Sequence, residues 1–368
     1  MLPASAGNTL VLGEIFQRGR NSFSVLRLLL ASAVILSHSY YLPGYGVDPL
    51  ERWSGLRLGG LAVDGFFALS GMLVTASLCR NPSILNFIRH RLARLMPGFW
   101  VCLAFCAFLL APVVIAVDKG WSELATVATV KSLFGYVLKN STLLIVEPTL
   151  PNVLSTLSYQ RINPCLWTLA PEACCYALLA VAGVLHFLHG MRRWLLVFVF
   201  VAGLLFVSGL GPDLAGASGD ASIVRLVELG LHFLGGGLTV LFLGRLRLSV
   251  TIALCLTTLY LLCLFVQPLQ FLRILLLAPA LAAIGRVIPL HGRCDTMDIS
   301  YGLYLYGSAL QQFLVWSQLV GTGAWSFFVL SLLATVPLAF LSWTVIEKPA
   351  LTRWGRQRLT KSEALAGA

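Results

Sequence analysis

The chain has 368 residues, of which 58% are hydrophobic and only 11% charged, a balance outside the range of soluble globular domains. With a mean hydropathy of +0.85 and apolar stretches of about 20 residues recurring along its length, the sequence predicts an all-α polytopic membrane protein. The net charge of +11 is read as an orientation and lipid-headgroup signal, which excludes nucleic acid as the implied partner and leaves membrane lipids.

Ten spans are predicted, at about 22–42, 57–79, 95–117, 165–188, 194–210, 223–244, 248–266, 269–290, 299–320 and 325–346. If the N-terminus is cytoplasmic, 17 of the 26 Lys and Arg residues fall in inner segments and 6 in outer loops, with Arg27, Arg225 and Arg273 inside spans. That bias fits both termini in the cytoplasm. Residues 1–21 and 349–368 are then cytoplasmic tails, and 118–164 is an outer loop expected to act as a lid or re-entrant element. No cleavable signal peptide is expected, because the first 21 residues are polar and basic. Residues 1–368 are treated as one membrane-embedded domain. The nine cysteines lack metal-ligand spacing, so they are read as small buried hydrophobes and no metal site is expected.

The first span, Ser22 to Leu42, carries Arg27 and His38 eleven positions apart. At about 100° and 1.5 Å per residue, the two share one helix face about 16 Å apart along the axis. Ionisable groups at membrane depth are costly and usually face a protein interior or a wet cavity. The second span places Asp64 among apolar residues ahead of Ser70-Gly71. Next comes an amphipathic cytoplasmic stretch, Asn81 to Pro97, with Arg91 and Arg94 three apart on one face. Such a pair either meets anionic lipid or clamps phosphates by forked hydrogen bonds. In the fourth span Glu172 lies about seven residues from the outer end, behind Pro171. Further along, Arg225 and Glu228 have the spacing of an intrahelical pair, and Arg273 and His232 are candidates for the same cavity. Glu347 is read as an anchor at the inner surface, and Trp53, Trp121, Trp167 and Trp325 as an interfacial belt.

His38, Asp64 and Glu172 thus converge at similar outer-leaflet depth from three helices. One reading is a buried polar network that locks helix packing. The other is a histidine base oriented by a carboxylate beside a polar substrate. There is no GxSxG or HExxH, which speaks against serine-hydrolase and zinc-peptidase chemistry.

Together the landmarks resemble the acyltransferase 3 family of integral membrane O-acyltransferases: Arg27 with ten residues before His38, VDGFFALSG around Asp64 and Ser70, RLAR at Arg91 and Arg94, LWTLAPE ending at Glu172, ISYGLYLY at Ile299 to Tyr306, and VIEKPA at Val345 to Ala350. The resemblance implies a ten-helix enzyme of a bacterial inner membrane. It would move an acyl group, commonly acetyl from cytoplasmic acetyl-CoA, to a hydroxyl of a glycan or lipid-linked saccharide, such as an exopolysaccharide, O-antigen or lipochitooligosaccharide. Acyl-CoA is then a co-substrate, with no resident cofactor expected. His38 is the implied catalytic histidine, acting as general base or through a short-lived acyl adduct, with Asp64 or Glu172 orienting it. Arg27, Arg91 and Arg94 are the donor-side residues, and Ser70, Arg225, Glu228, Arg273, Tyr301 and Tyr304 the candidates lining the substrate cavity. In one departure, many members have a His and a Pro after the SYGLYLY-like stretch, where this chain has Gly307-Ser308-Ala309. The hydrolase-like domain that follows the membrane region of some relatives is not expected here. A transporter of a sugar or lipid-linked anion is the main alternative, and a structural subunit of an export assembly a third.

The charge bias sets the first test. A topology reporter fused after Ala368 is expected to be active only in the cytoplasm, and one placed near Lys131 only outside.

Overall fold

The computed structural model describes residues 22–210, 221–243, 249–287 and 297–353. The predicted tail 1–21, most of the tail 349–368, and the basic positions Arg245, Arg247 and Arg293 lie outside the described residues. Among the described residues there is no strand.

The main helices are α1 (Phe23–Tyr41), α2 (Leu58–Arg80), α3 (Ile84–Asp118), α4 (Val127–Asn140), α5 (Pro164–Val184), α6 (Gly190–Ser208), α7 (Ala221–Leu243), α8 (Val250–Phe265), α9 (Gln267–Val287), α10 (Ser300–Trp316) and α11 (Ala324–Arg353). Eight of these, all but α4, α8 and α10, are long and apolar enough to cross a membrane. The protein is therefore an all-α, multi-pass membrane protein, and each of the ten predicted spans contains a helix. α8 is a shorter apolar helix. α10 is 17 residues long and carries Ser308, Gln311 and Gln312, all buried. It faces protein instead of lipid, packed between α1, α3 and α11.

Two boundaries differ from expectation. The amphipathic stretch after α2 is the beginning of α3, which starts at Ile84 instead of 95 and continues through Pro97 and a π turn at Cys106–Leu110 to Asp118. Ser83 caps it, its side chain accepting from the Asn86 amide. Residues 118–164 are not a bare loop. They contain α4, which packs on α3, and an irregular run that buries Leu143, Leu150, Val153, Leu154 and Ile162. Gln312 of α10 ties this run down by donating to the carbonyls of Tyr159 (2.9 Å) and Arg161 (2.8 Å). The bundle thus has a loop end, covered by 118–164, and an opposite arginine end bearing Arg91 and Arg94.

The central packing is between α2 and α7, and glycine makes it possible. A Cβ on Gly71 would lie 1.9 Å from the Phe233 carbonyl oxygen, and one on Gly236 would lie 2.2 Å from that of Ala68. Helices in lipid gain little from burying apolar surface against each other and associate through such close backbone contact. Overpacking usually costs about 1–3 kcal/mol, and backbone atoms cannot rotate aside, so Gly236→Val is expected to cost at least that much. The check is a lowered midpoint of thermal unfolding in detergent, or loss of monodisperse protein.

Candidate active site

Asp64 of α2 is 1% exposed, and the face of α7 supplies its partners. Arg225, Glu228 and His232 recur three and four residues apart, so their side chains share one stripe. Arg225 reaches Asp64 at 2.7 Å and His232 Nε2 lies 3.3 Å from the same carboxylate. The predicted Arg225–Glu228 pair is present at 3.0 Å, and Arg273 of α9 closes the chain of charges on Glu228 at 3.1 Å.

His38 stands at the loop end in a cavity of about 230 Å³, lined also by Tyr41, Arg57, Tyr159, Arg161, Trp167, Arg225 and Tyr304. Its ring meets Tyr41 edge-on with centroids 5.1 Å apart. The Arg57 guanidinium lies 5.8 Å from the Tyr41 ring centroid and pairs with Glu51 at 3.0 Å. Loop residues 159–161 therefore help to wall the histidine.

A second, narrower cavity of about 90 Å³ opens at the arginine end, between Arg27, Ser70, Arg91, Arg94, Glu172, Tyr176, Tyr301 and Tyr304. Asp298, two residues ahead of α10, binds Arg27 at 3.0 Å and Arg94 at 2.8 Å, and Arg94 also reaches Glu347 at 3.4 Å. Burial by itself would raise the Asp298 carboxyl, but the two guanidinium groups and the Ser300 hydrogen bonds outweigh it and hold the group below the usual carboxylate range. Arg94 also stacks over Tyr301, 5.2 Å from its centroid. Arg91 lies 5.7 Å from the Tyr176 centroid and has no carboxylate partner among the described residues. Glu172 accepts hydrogen bonds from Tyr176 and from Ser70 (3.3 Å).

The two cavities share Val63 and Tyr304 as lining residues. Tyr304 is fixed between them, its hydroxyl 2.6 Å from that of Thr168 and donating to the Cys165 carbonyl at 3.0 Å. α1 runs past both spaces, with Arg27 in one and His38 in the other.

The predicted site residues are thus divided. Arg27, Arg91, Arg94, Ser70, Glu172, Tyr301 and Tyr304 come together at one cavity, and His38, Arg225 and Tyr304 at the other. The expected contact of His38 with Asp64 or Glu172 is not made: Asp64 is turned into α7, and Glu172 faces the arginine end. Glu228, Arg273 and His232 line neither cavity: Glu228 pairs with Arg225 and Arg273, and the His232 ring is buried against Asp64. Arg94 is no free half of a phosphate clamp, since two carboxylates already hold it. Glu347, expected as a surface anchor, is 1% exposed and accepts from Ser342 at 3.0 Å as well as binding Arg94. Sequence reasoning missed Asp298, Tyr41, Tyr159, Tyr176 and Arg161. Tyr176 was detectable, being one helical turn from Glu172; the loop residues carry no periodic signal.

An acyltransferase domain model, acyltransferase 3, matches residues 20–344. The chain belongs to the acyltransferase 3 family. Among proteins of this kind it is 26% identical over 348 residues to an O-acetyl transferase of Shigella phage Sf6, covering 90% of this chain and 96% of that one. It is also 26% identical over 355 residues to Nodulation protein 10 of Rhizobium leguminosarum bv. viciae, covering 90% and 93%. No solved structure matches the chain. As a member of this family the protein is a membrane O-acyltransferase, with an acyl donor and an acceptor. The structure also explains its departure at Gly307. A Cβ there would sit 2.9 Å from Ile35 Cγ1 on α1, so a side chain at this position requires Ile35 to give way.

Removing one member of a buried ion pair leaves the others uncompensated, at a typical cost of about 3–5 kcal/mol. Asp64→Leu is therefore expected to lower the thermal unfolding midpoint sharply and to reduce the amount of protein recovered from membranes. Glu172→Gln, which alters a site at the cavity edge, is expected to leave both nearly unchanged.

Proposed function

We propose that the protein takes an acyl group, acetyl above all, from acyl-CoA on the cytoplasmic side and places it on a hydroxyl of a glycan or lipid-linked saccharide. In this reading the arginine end is cytoplasmic, the loop end is outside, both termini are cytoplasmic, and the membrane is a bacterial inner membrane, with residues 1–368 acting as one domain. One observation carries the reading: α1 brings Arg27 to one cavity and His38 to another, and the two cavities meet at Val63 and Tyr304. The name of the phage relative, O-acetyl transferase, supports acetyl as the group moved.

The chemistry follows from that arrangement. Arg91, the guanidinium without a carboxylate partner, receives donor phosphate by charge-assisted hydrogen bonds. Arg27 and Arg94, tied to Asp298, build the positively charged wall beside it. The cavity at the arginine end, about 90 Å³, is too narrow for the nucleotide of the donor, which stays at the membrane surface while the acyl-bearing arm reaches inward. In the outer cavity, His38 takes the proton of the acceptor hydroxyl as its oxygen attacks the thioester carbonyl. A C–O bond forms, the C–S bond breaks, and CoA leaves as a thiolate that is then protonated. Tyr41 and Trp167 give the acceptor sugar aromatic faces, and Arg161 and Arg225 give it polar contacts. Glu172 shapes the donor cavity and does not orient the imidazole.

The test uses purified protein with labelled acetyl-CoA and a panel of glycans, in detergent and without a gradient, where an enzyme works and a coupled transporter does not. Loss of a general base typically costs about 10²–10⁴ in rate, so His38→Ala and His38→Gln are both expected to abolish most transfer with unfolding temperatures near the parent. Substantial activity in His38→Gln would overturn the mechanism. A hydrogen bond to a charged group contributes about 1.5–3 kcal/mol, so Arg91→Gln is expected to raise the apparent KM for acetyl-CoA by roughly tenfold or more.

A further inference from the structure

Among the described residues the imidazole of His38 has no carboxylate beside it, and its Nδ1 is buried without a hydrogen-bond partner. A general base of this kind needs its second nitrogen held, because the partner of that nitrogen fixes both tautomer and ring orientation. On α10, Gln311 is 0% exposed, and its Oε1 is likewise buried and unpartnered. Gln311 meets α1 at Ile35 and Ser39, the positions three before and one after His38, which sets its side chain beside the imidazole across the α1–α10 contact.

The orientation of the Gln311 amide is fixed by its other neighbours. Its Nε2 donates to the Ile35 carbonyl at 2.9 Å and to Ser39 Oγ at 3.0 Å. Ser39 has already given its own hydroxyl proton to Ile35 O, at 2.8 Å. The Ile35 carbonyl can only accept, so a flipped amide would set oxygen against oxygen there and cost Ser39 its bond to that carbonyl. Oε1 is thus left pointing away from them, with room only for a donor. The approach depends on Gly307, one turn earlier on the same face of α10, where the absence of a side chain lets α10 lie against Ile35.

We propose that Gln311 is the positioning residue of His38: its Oε1 accepts Nδ1–H, which leaves the Nε2 lone pair directed into the outer cavity to take the acceptor proton. The inference rests on His38 being the base, and it replaces the carboxylate partner that the sequence suggested. A neutral amide suits this depth, where a further unpaired carboxylate would be costly. It fixes the tautomer without placing a charge next to the reacting hydroxyl.

The direct measurement is the ¹⁵N spectrum of histidine-labelled parent protein, with the His38 signals assigned by their loss in His38→Gln. The expected result is a neutral Nδ1–H tautomer, and an Nε2–H tautomer would overturn the proposal. In Gln311→Met, of similar length but without acceptor or donor, the His38 signals are expected to shift toward a tautomer mixture. Partners that orient metal-bound histidines typically matter about 10–100-fold, and the same scale is expected for a partner that orients a catalytic imidazole. The expected kinetic result is therefore a fall in kcat of that size, with the KM values for donor and acceptor within about twofold of the parent. An unchanged kcat in Gln311→Met, alongside an inactive His38→Gln, would remove Gln311 from the mechanism and leave His38 as the base. Activity in His38→Gln would instead remove the base itself.

Discussion

A carboxylate inside a membrane protein must find its counter-charge from another helix, and Asp64 imposes that constraint on the whole bundle. No water is available in the hydrocarbon to relieve an unpaired charge. Arg225 and His232 supply the partners only if α7 lies directly against α2. That approach is in turn possible only because Gly71 and Gly236 leave their backbones bare at the crossing. Electrostatics and glycine packing therefore select the same helix pair. Arg273, drawn in through Glu228, adds α9 to it.

With Asp64, Glu228 and Arg273 consumed in this way, the polar lining of the two cavities comes mostly from α1, α3, α5 and α10, joined by Ser70 of α2 and Arg225 of α7. The two cavities differ in character accordingly. The one at the arginine end is built of guanidinium groups, two of them locked by Asp298 and one without a carboxylate among the described residues, which favours an anion at one point while holding its walls rigid. The one at the loop end combines His38 with aromatic rings and loop backbone, a lining suited to hydroxyl-rich ligands. Tyr304 stands where they meet, hydrogen-bonded to α5 at both Thr168 and Cys165. A group passing from one cavity to the other must pass this side chain.

α10 carries the neighbouring glutamines that organise the loop end. Gln312 faces the 118–164 segment and pins Tyr159 and Arg161 over the outer cavity. Gln311 faces α1 and meets the backbone beside His38. Adjacent positions on a helix point about 100° apart, so one short motif fastens the roof of the cavity and its histidine at once. This accounts for a helix with too much polarity to sit in lipid. Its polar groups are all answered by, or aimed at, other parts of the protein.

The sequence by itself determined the class of fold and the approximate place of every long helix, because about 20 apolar residues in a row can satisfy their backbone only by coiling across the bilayer. It also determined that Arg27 and His38 share a face, since both lie on one helix and helical spacing is a property of a single element. The family was readable from the order of short motifs. What the sequence could not decide was which helix meets which. Asp64 and His38 lie at similar depth on neighbouring helices, yet depth does not specify direction around the axis, and Asp64 turns toward α7. Asp298 and Gln311 belong to no periodic pattern, and their significance arises from partners more than 200 residues away. Those choices were made by tertiary packing, where the bare backbone at Gly71, Gly236 and Gly307 let particular helices close on one another and so decided which polar groups would meet.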